Sequence, residues 1–292
     1  MSALSHQPLF PGPVVLRAEP VTFTPAMASG TSLSPTHGLW NTESVGVLIN
    51  RISFNISEKD LAAVLPTALT VKLDYHNEPI TNGYQPLAAI SYPENRRFEL
   101  HTSVIRLSRP FYLKPGEWID VTIKNDILGH SNTVVVNPVA SGIQANEPDV
   151  RWIPYLTSFR GTVQITTGGA VTGTSVPPDL GNPFATTLYV ERLIARILNG
   201  SVAAGPLTDL LFNLRSWGNV ISARLTDHHD NFWISRFVPF ASIVNTNDSS
   251  WIVNTDIESK GFLRAELDGT ANLFGETSFI LPVLGLMGYR QI

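Results

Sequence analysis

The stretch SVGVLINRISFNIS, Ser44 to Ser57, decides the fold class. Its apolar residues fall at positions 45, 47 and 49 and then at 52, 54 and 56. Successive side chains of a strand point to opposite faces, so this alternation predicts a strand with one face in a core. The alternation slips by one residue at Asn50 and Arg51, which is typical of a β-bulge or a bend.

Similar alternation recurs along the first half of the chain, between turn signals such as HNEP, TNGY and LKPGEW. ALTVKLDYH and EWIDVTIKN are two such strands, with apolar faces formed by Leu69, Val71, Leu73 and Tyr75 in one and by Ile119, Val121 and Ile123 in the other. One brief helix is predicted over EKDLAAVL, from Ser57 to a stop at Pro66. Seven or eight short strands with one helix predict an antiparallel sandwich or barrel.

The second half begins with TTLYVERLIARILNGS, residues 186–201, whose apolar spacing predicts an amphipathic helix ended by Gly200. The segment PLTDLLFNLRSWG, residues 206–218, fits either another short helix or a strand. Strands are then predicted in NVISARLT, NFWISRFV, SSWIVNT, GFLRAELDG and GETSFILPV. No internal repeat appears at a fixed period.

These patterns predict an all-β chain with minor helices, divided into four segments. Residues 1–43 are rich in proline and form an extended N-terminal arm, 44–167 a β-barrel domain, 168–185 a linker or long loop, and 186–292 a second β-rich domain with one or two short helices. The domain order stays open, because one domain can be an insertion in the other. The arm either contacts other subunits or wraps its own domain. On the first interpretation, deleting residues 2–20 spares folding and reduces assembly.

Composition excludes several classes of protein. Only 15% of the 292 residues are charged and the net charge is −4, which argues against a protein whose main partner is nucleic acid. The chain contains no cysteine, so disulfides and thiolate metal sites are excluded. MSALSHQPLFPGPVV lacks the basic and apolar regions of a secretory signal. The apolar run FILPVLGLMGY, residues 279–289, is too short to span a bilayer and predicts a buried strand.

Four adjacent residues are the candidate metal ligands: Asp227, His228, His229 and Asp230. They lie between two alternating strands, where a polar connection of this length is an ordinary hairpin loop. Adjacent histidines on an extended chain also point to opposite sides and rarely bind one ion together. The triplet Asp-His-His resembles manganese-dependent phosphoesterases in these three letters only, because their other aspartate-rich motifs are missing. We therefore expect a hairpin tip and assign no catalytic, metal or cofactor site.

Other motifs carry little chemistry. The chain has no Gly-x-Ser-x-Gly elbow and no His-Glu-x-x-His pair. YPENRR, residues 92–97, is typical of a solvated loop with a weak surface ion pair. Four of the six tryptophans are expected in a sandwich core; the six are at positions 40, 118, 152, 217, 233 and 251.

The whole chain, from MSALSHQPLFPGPVVLRAEPVTFTP at its start to FILPVLGLMGYRQI at its end, resembles the larger major capsid protein of tailless icosahedral Thermus phages with an internal membrane. The resemblance implies a single jelly-roll barrel with a second, smaller β-domain that forms a tower on the outside of the shell. It also implies a virion protein without enzymatic activity or cofactor. Its partners would be copies of itself and a second major capsid protein in pseudo-hexameric capsomers. Contacts with the internal membrane or with minor capsid proteins are further implications, whereas sequence-specific nucleic-acid binding is not implied.

Two alternatives stay open. A carbohydrate-binding β-sandwich from a receptor-binding apparatus predicts exposed tryptophans and measurable glycan affinity, whereas the capsid interpretation predicts buried tryptophans. A metal-dependent hydrolase centred on His228 and His229 predicts bound metal and loss of activity in His229→Ala.

Overall fold

The computed structural model describes residues 12–57, 69–94, 100–125, 133–160, 163–165, 171–172, 180–199, 221–239, 242, 250–269 and 278–292. Within these residues the regular secondary structure is almost entirely β-strand. The strands of the first half are β1 Pro13–Arg17, β2 Val21–Phe23, β3 Thr31–Leu33, β4 Leu39–Trp40, β5 Gly46–Ser57, β6 Leu69–Tyr75, β7 Glu78–Pro79, β8 Gln85–Pro86, β9 Tyr92–Glu94, β10 Leu100–Leu113, β11 Trp118–Asn125 and β12 Val134–Ala145. A four-residue helix, α1, covers Leu87–Ile90.

The strands of the second half are β13 Trp152–Arg160, β14 Val163–Ile165, β15 Val171–Thr172, β16 Leu180–Gly181, β17 Leu188–Asn199, β18 Ile221–Asp227, β19 Phe232–Pro239, β20 Ser250–Ile257, β21 Phe262–Gly269 and β22 Ser278–Gln291. The described part of the chain contains no helix that is long and apolar enough to cross a membrane.

The first twelve strands form two antiparallel sheets with a jelly-roll order. One sheet runs β1-β12-β5-β10-β9, with β2 also on β12, and the other runs β3-β11-β6-β7, with β4 on β11 and β8 on β6. If β1 and β2, β3 and β4, and β7 and β8 each count as one strand, and β9 is left out as an extra edge strand, the first unit has eight strands in chain order. The first sheet then contains the first, eighth, third and sixth of these strands. The second sheet contains the second, seventh, fourth and fifth. This interleaving of two Greek keys defines a jelly roll.

The remaining strands repeat the same order. One sheet contains β13, β22, β17 and β20 in that sequence, with β14 and β15 as additions, and the other runs β16-β21-β18-β19. The prediction of an all-β chain with a jelly roll is confirmed. The second β-rich unit is itself a jelly roll by strand order, which the sequence did not reveal.

Sheet pairing differs from the expected segmentation at both ends of the first unit. Residues assigned to the N-terminal arm supply β1 to β4, and Val14, Leu16, Val21 and Phe23 are buried. Pro13 begins β1 and Pro20 separates β1 from β2, positions that an edge strand tolerates. At the other end, β13 pairs with β22 along its whole length, so residues 152–160 belong with the C-terminal strands.

The predicted helix at 186–201 is wrong, because residues 188–199 form β17 between β20 and β22. Its pairing with both neighbours shifts register between Val190 and Arg192. The buried residues are therefore Leu188 and Val190 before the bulge, and Leu193 and Ile194 after it. A bulge inside a strand has thus produced a spacing that looks helical. The predicted helix at 58–65 and the segment 206–218 lie outside the described residues.

The predicted slip in the opening stretch is confirmed. β5 pairs with β12 on one side and β10 on the other, and both registers jump from Arg51 to Ile49. Asn50 is therefore the bulged residue. On either side of it Val47, Ile49, Ile52, Phe54 and Ile56 are buried in the first core.

Residues of the second jelly roll extend the core of the first, and backbone hydrogen bonds join the two units. Ile153, Leu156, Met287 and Tyr289 come from the second jelly roll but pack within the core of the first. The N–H of Leu156 donates to the carbonyl of Ile80 at 2.8 Å. The N–H of Asn82 donates back to the carbonyl of Leu156 at 2.9 Å. An apolar interface with backbone pairing across it restrains the relative motion that is the default for two domains.

Candidate functional site

The four candidate ligands form the turn between β18 and β19. The Asp227 carboxylate accepts hydrogen bonds from the backbone N–H groups of His229 and Asn231, both at 2.9 Å, and from the Asn231 amide at 3.1 Å. Desolvation raises the pKa of Asp227, but these hydrogen bonds outweigh it and the pKa lies below its ordinary value. Asp230 has a φ of 60°, a conformation that aspartate tolerates in turns. The Asp227 carboxylate therefore stabilises the turn by hydrogen bonds within it.

The two histidines converge instead of pointing apart. β18 ends at Asp227, so His228 and His229 lie in the turn and not on an extended strand. Their ring centroids are 3.9 Å apart, and each Nε2 lies 3.9 Å from Oε2 of Glu258. The three ligand atoms lie within 4.8 Å of one another, and two imidazoles with one carboxylate are a donor set that Zn²⁺ accepts. The sequence missed Glu258, because it comes from a distant loop.

A second candidate site lies on the outer face of the first jelly roll, at two tryptophans. Trp40 of β4 and Trp118 of β11 are direct partners across the sheet. Trp40 is 41% exposed and Trp118 is 44% exposed. The imidazole of His37 stacks on Trp40 with ring centroids 5.7 Å apart and planes 14° apart. His76 lies near Trp118, with centroids 6.0 Å apart. Two large aromatic rings thus share one solvent-facing patch.

Polar side chains continue this face along β11 and β6. Asp120 lies directly opposite Asp74, and Thr122 lies opposite Lys72. The Lys72 ammonium is 2.8 Å from the Asp74 carboxylate, and this hydrogen bond raises the pKa of Lys72. The Trp118 indole N–H donates to Oδ1 of Asp120 at 2.9 Å. These residues and the loop 34–38 line a cavity of about 650 Å³, which we call the tryptophan groove.

The wall of the tryptophan groove is held by contacts behind it. The backbone N–H of Thr36 donates to the Glu19 carboxylate at 3.0 Å, and the His37 imidazole lies 3.7 Å from the same carboxylate. Gly38 lies against the backbone of Ile119, where a Cβ atom would collide with the carbonyl group. The loop therefore needs glycine at this position to approach β11.

The other tryptophans that the structure describes are partly buried. Trp152 packs against the first core, and Trp233 and Trp251 pack against the second. Trp217 lies outside the described residues, as do residues 95–97 of the YPENRR segment. None of the described tryptophans is fully buried, which differs from the expectation that four of the six fill a core.

Comparison with known proteins identifies no family. No protein-family model matches the chain, and no curated protein matches it. Among solved structures it is similar to the STIV MCP, with 10% identity, a TM-score of 0.49, and coverage of 94% of this chain and 97% of that one. It is also similar to the major capsid protein P2 from bacteriophage PM2, with 12% identity, a TM-score of 0.47, and coverage of 96% and 98%.

A similarity to an enzyme stands beside these two. PNGase F, a glycosylasparaginase from Flavobacterium meningosepticum, matches with 8% identity, a TM-score of 0.38, and coverage of 95% of this chain and 96% of that one. Likenesses at this level do not discriminate between a shell protein and an enzyme.

Proposed function

We propose that this chain is a major capsid protein of a tailless icosahedral phage with an internal membrane, present in the virion in many copies. The observation that carries the proposal is the tandem of two jelly rolls with one strand order, fixed to each other by residues of the second that pack in the core of the first. Jelly rolls are frequent among viral capsid proteins, and the resemblance of the whole sequence to Thermus phage capsid proteins points the same way.

A tandem of similar units suits a closed shell. Oligomers close when the same contacts recur around a symmetry axis. A chain with two jelly rolls presents two similar edges, so three copies supply six similar units for a pseudo-hexameric capsomer. A second major capsid protein and the internal membrane are further partners in this proposal.

The fixed relation of the two units also fits this role, because a shell accumulates small angular errors over many subunits. The guanidinium of Arg290 is largely buried and donates to the Glu78 carboxylate at 2.6 Å, which joins the end of β22 to β7. The Ser158 hydroxyl donates to the Gln85 side chain at 2.6 Å, which joins β13 to β8. Apolar contacts are not directional, so these two hydrogen bonds help to fix the position of one unit relative to the other.

An outward apolar pair on the first jelly roll offers a lateral contact. Val15 of β1 lies opposite Ser141 of β12, and Ile143 is the next residue on the same face. Val15 is 54% exposed and Ile143 is 42% exposed, although Val14, Leu16 and Gly142 beside them are buried. Val15 lies on the edge strand β1 and Ile143 on the next strand β12, so the pair lies near the edge of its sheet, where another subunit can approach.

The test is sedimentation of a lysate of the source culture through a density gradient. This chain is quantified by mass spectrometry in every fraction, beside nuclease-protected DNA. The proposal expects both to peak together, with the chain among the most abundant proteins of that peak. Confinement of the chain to the fractions of free soluble proteins would overturn it.

A further inference from the structure

We infer that the tryptophan groove on the first jelly roll binds a neutral saccharide. A sugar ring has an apolar face of C–H groups and a rim of hydroxyl groups. The groove combines exposed aromatic rings with carboxylates on one rigid sheet face, which are complementary to these two features.

The aromatic part of the groove differs from ordinary exposed apolar residues. Single exposed hydrophobic side chains are common on protein surfaces, but Trp40 and Trp118 lie directly opposite each other on neighbouring strands. Indole rings bury a large apolar area when a ligand covers them. His37 stacks on Trp40 and fixes the position of that ring in advance.

The polar part supplies acceptors and a donor at the edge of the rings. Asp120 lies two residues along β11 from Trp118, and Asp74 lies across from Asp120 on β6. Oδ1 of Asp120 accepts the Trp118 indole N–H, which leaves the second carboxylate oxygen for a ligand hydroxyl. Lys72, held by Asp74, is a donor for a hydroxyl or ring oxygen. Carboxylates accept hydrogen bonds from hydroxyls more strongly than neutral acceptors do.

The charge of the groove decides the class of saccharide. Asp74 and Asp120 carry two negative charges and Lys72 carries one positive charge, so the acidic residues dominate. A phosphorylated, sulfated or uronic sugar would be repelled, and its anion would find only an ammonium that is already paired. A neutral sugar avoids this repulsion and uses both carboxylates as acceptors.

The groove is also prepared for a ligand before one arrives. Its polar groups project from paired strands, and its wall is held by the contacts of Thr36 and His37 with Glu19. A volume of about 650 Å³ lies within the range of small-molecule sites, which is about 300–1,000 Å³. Groups that are already in place lose less conformational entropy on binding, which favours affinity for a small ligand.

The test is a titration of the purified full-length chain with saccharides, in which binding is monitored by tryptophan fluorescence. The probes are methyl glycosides and disaccharides of glucose, galactose, mannose, rhamnose and N-acetylglucosamine, beside glucuronic acid and glucose 6-phosphate. We expect saturable binding of at least one neutral probe, with a Kd of about 1 mM or lower. Trp118→Ala and Asp120→Asn should each weaken that binding about tenfold or more.

Phe237→Ala is the matched control, because Phe237 is an aromatic residue of the second jelly roll that is 39% exposed. It should leave affinity unchanged, and melting curves confirm that each variant is folded. The inference fails if no neutral probe saturates, if Trp118→Ala retains the affinity, or if the acidic probes bind best. Saturable binding of arginine methyl ester in place of sugars would also overturn it and point to a protein partner. The shell proposal is tested independently by sedimentation of the lysate, so failure of saccharide binding would not contradict it.

Discussion

The backbone N–H of Ser108 donates a hydrogen bond of 3.0 Å to the hydroxyl of Tyr289, and the two residues belong to different jelly rolls. The Ser108 hydroxyl lies 3.0 Å from the same phenol and also donates to the Glu191 carboxylate. Beside them, the Arg109 guanidinium lies 4.2 Å from the centroid of the Trp152 ring. A small polar network thus closes the apolar interface between the two units.

Tyr289→Phe should destabilise the chain by about 0.5–1.5 kcal/mol, because it removes the acceptor of the part-buried hydrogen bond from the Ser108 N–H. Urea unfolding followed by circular dichroism measures the change. Tyr84→Phe removes the hydroxyl of a tyrosine that is 41% exposed and should change stability by less than about 0.5 kcal/mol. Equal midpoints for the two variants would show that the Tyr289 hydroxyl contributes nothing to the junction.

A second network involves Glu117 and predicts acid sensitivity. Burial raises the pKa of Glu117, but hydrogen bonds from the Lys114 N–H and the Tyr75 hydroxyl, with the charge of Arg151, outweigh it. Its pKa is therefore below its ordinary value of 4.5. A carboxyl with a lowered pKa stabilises the fold above its unfolded pKa, and this contribution is lost as pH falls through the folded pKa. Stability should therefore decline as the pH falls below 4.5.

Glu117→Gln should weaken this decline, because the amide does not titrate. Free energies of unfolding at a series of pH values between neutral and acid measure the slope. Glu147→Gln serves as the control, since Glu147 is 47% exposed and contacts the same Arg151 at 3.8 Å. An unchanged slope in Glu117→Gln, beside an unchanged slope in the control, would show that other carboxyls cause the acid sensitivity.

Truncation of the N-terminus tests whether the first residues form a separate arm or a strand of the first jelly roll. Deletion of residues 2–20 removes β1 and the buried side chains of Val14 and Leu16, each of which contributes about 1.5–3 kcal/mol by burial. We therefore expect this deletion to destabilise the first jelly roll by several kcal/mol, contrary to the expectation from the sequence. Deletion of residues 2–11 leaves β1 whole and is the matched comparison. Thermal melts that coincide for the two truncations would contradict the role of β1 in the sheet.

Local patterns predicted the strands of this fold better than its organisation. The bulge at Asn50 is predictable from the sequence, because apolar and polar residues alternate for several positions on both sides of it. The bulge in β17 was misread because apolar residues follow it immediately, and a helix gives the same spacing over a short window. The second jelly roll repeats a topology and not a sequence, so no periodic signal identified it.

Both candidate sites depend on contacts between residues far apart in the chain. Trp40 meets Trp118, and Asp74 meets Asp120, only because β4 and β6 pair with β11. The histidines were identified from the sequence, but the expectation that their side chains point to opposite sides holds only for an extended backbone. The sequence contained no signal for the approach of Glu258, which requires the register of the second jelly roll.

The group His228, His229 and Glu258 should bind a divalent transition metal when one is supplied. The three ligand atoms lie within 4.8 Å of one another, and the buried Nδ1 of His228 lacks a hydrogen-bond partner among the described residues. Co²⁺ titration followed by visible absorption is the direct measurement, with Zn²⁺ as competitor.

Variants of this turn distinguish ligands from residues that shape it. His229→Ala and Glu258→Gln each remove one ligand and should lower Co²⁺ affinity by about tenfold or more. Asp230→Asn is the control, because asparagine also tolerates a φ of 60° and Asp230 lies outside the group. If Asp230→Asn lowers affinity as much as Glu258→Gln does, the metal is held by general negative charge near the turn. If all three variants bind as the unmodified chain does, the convergence of the histidines reflects only the tight geometry of the hairpin.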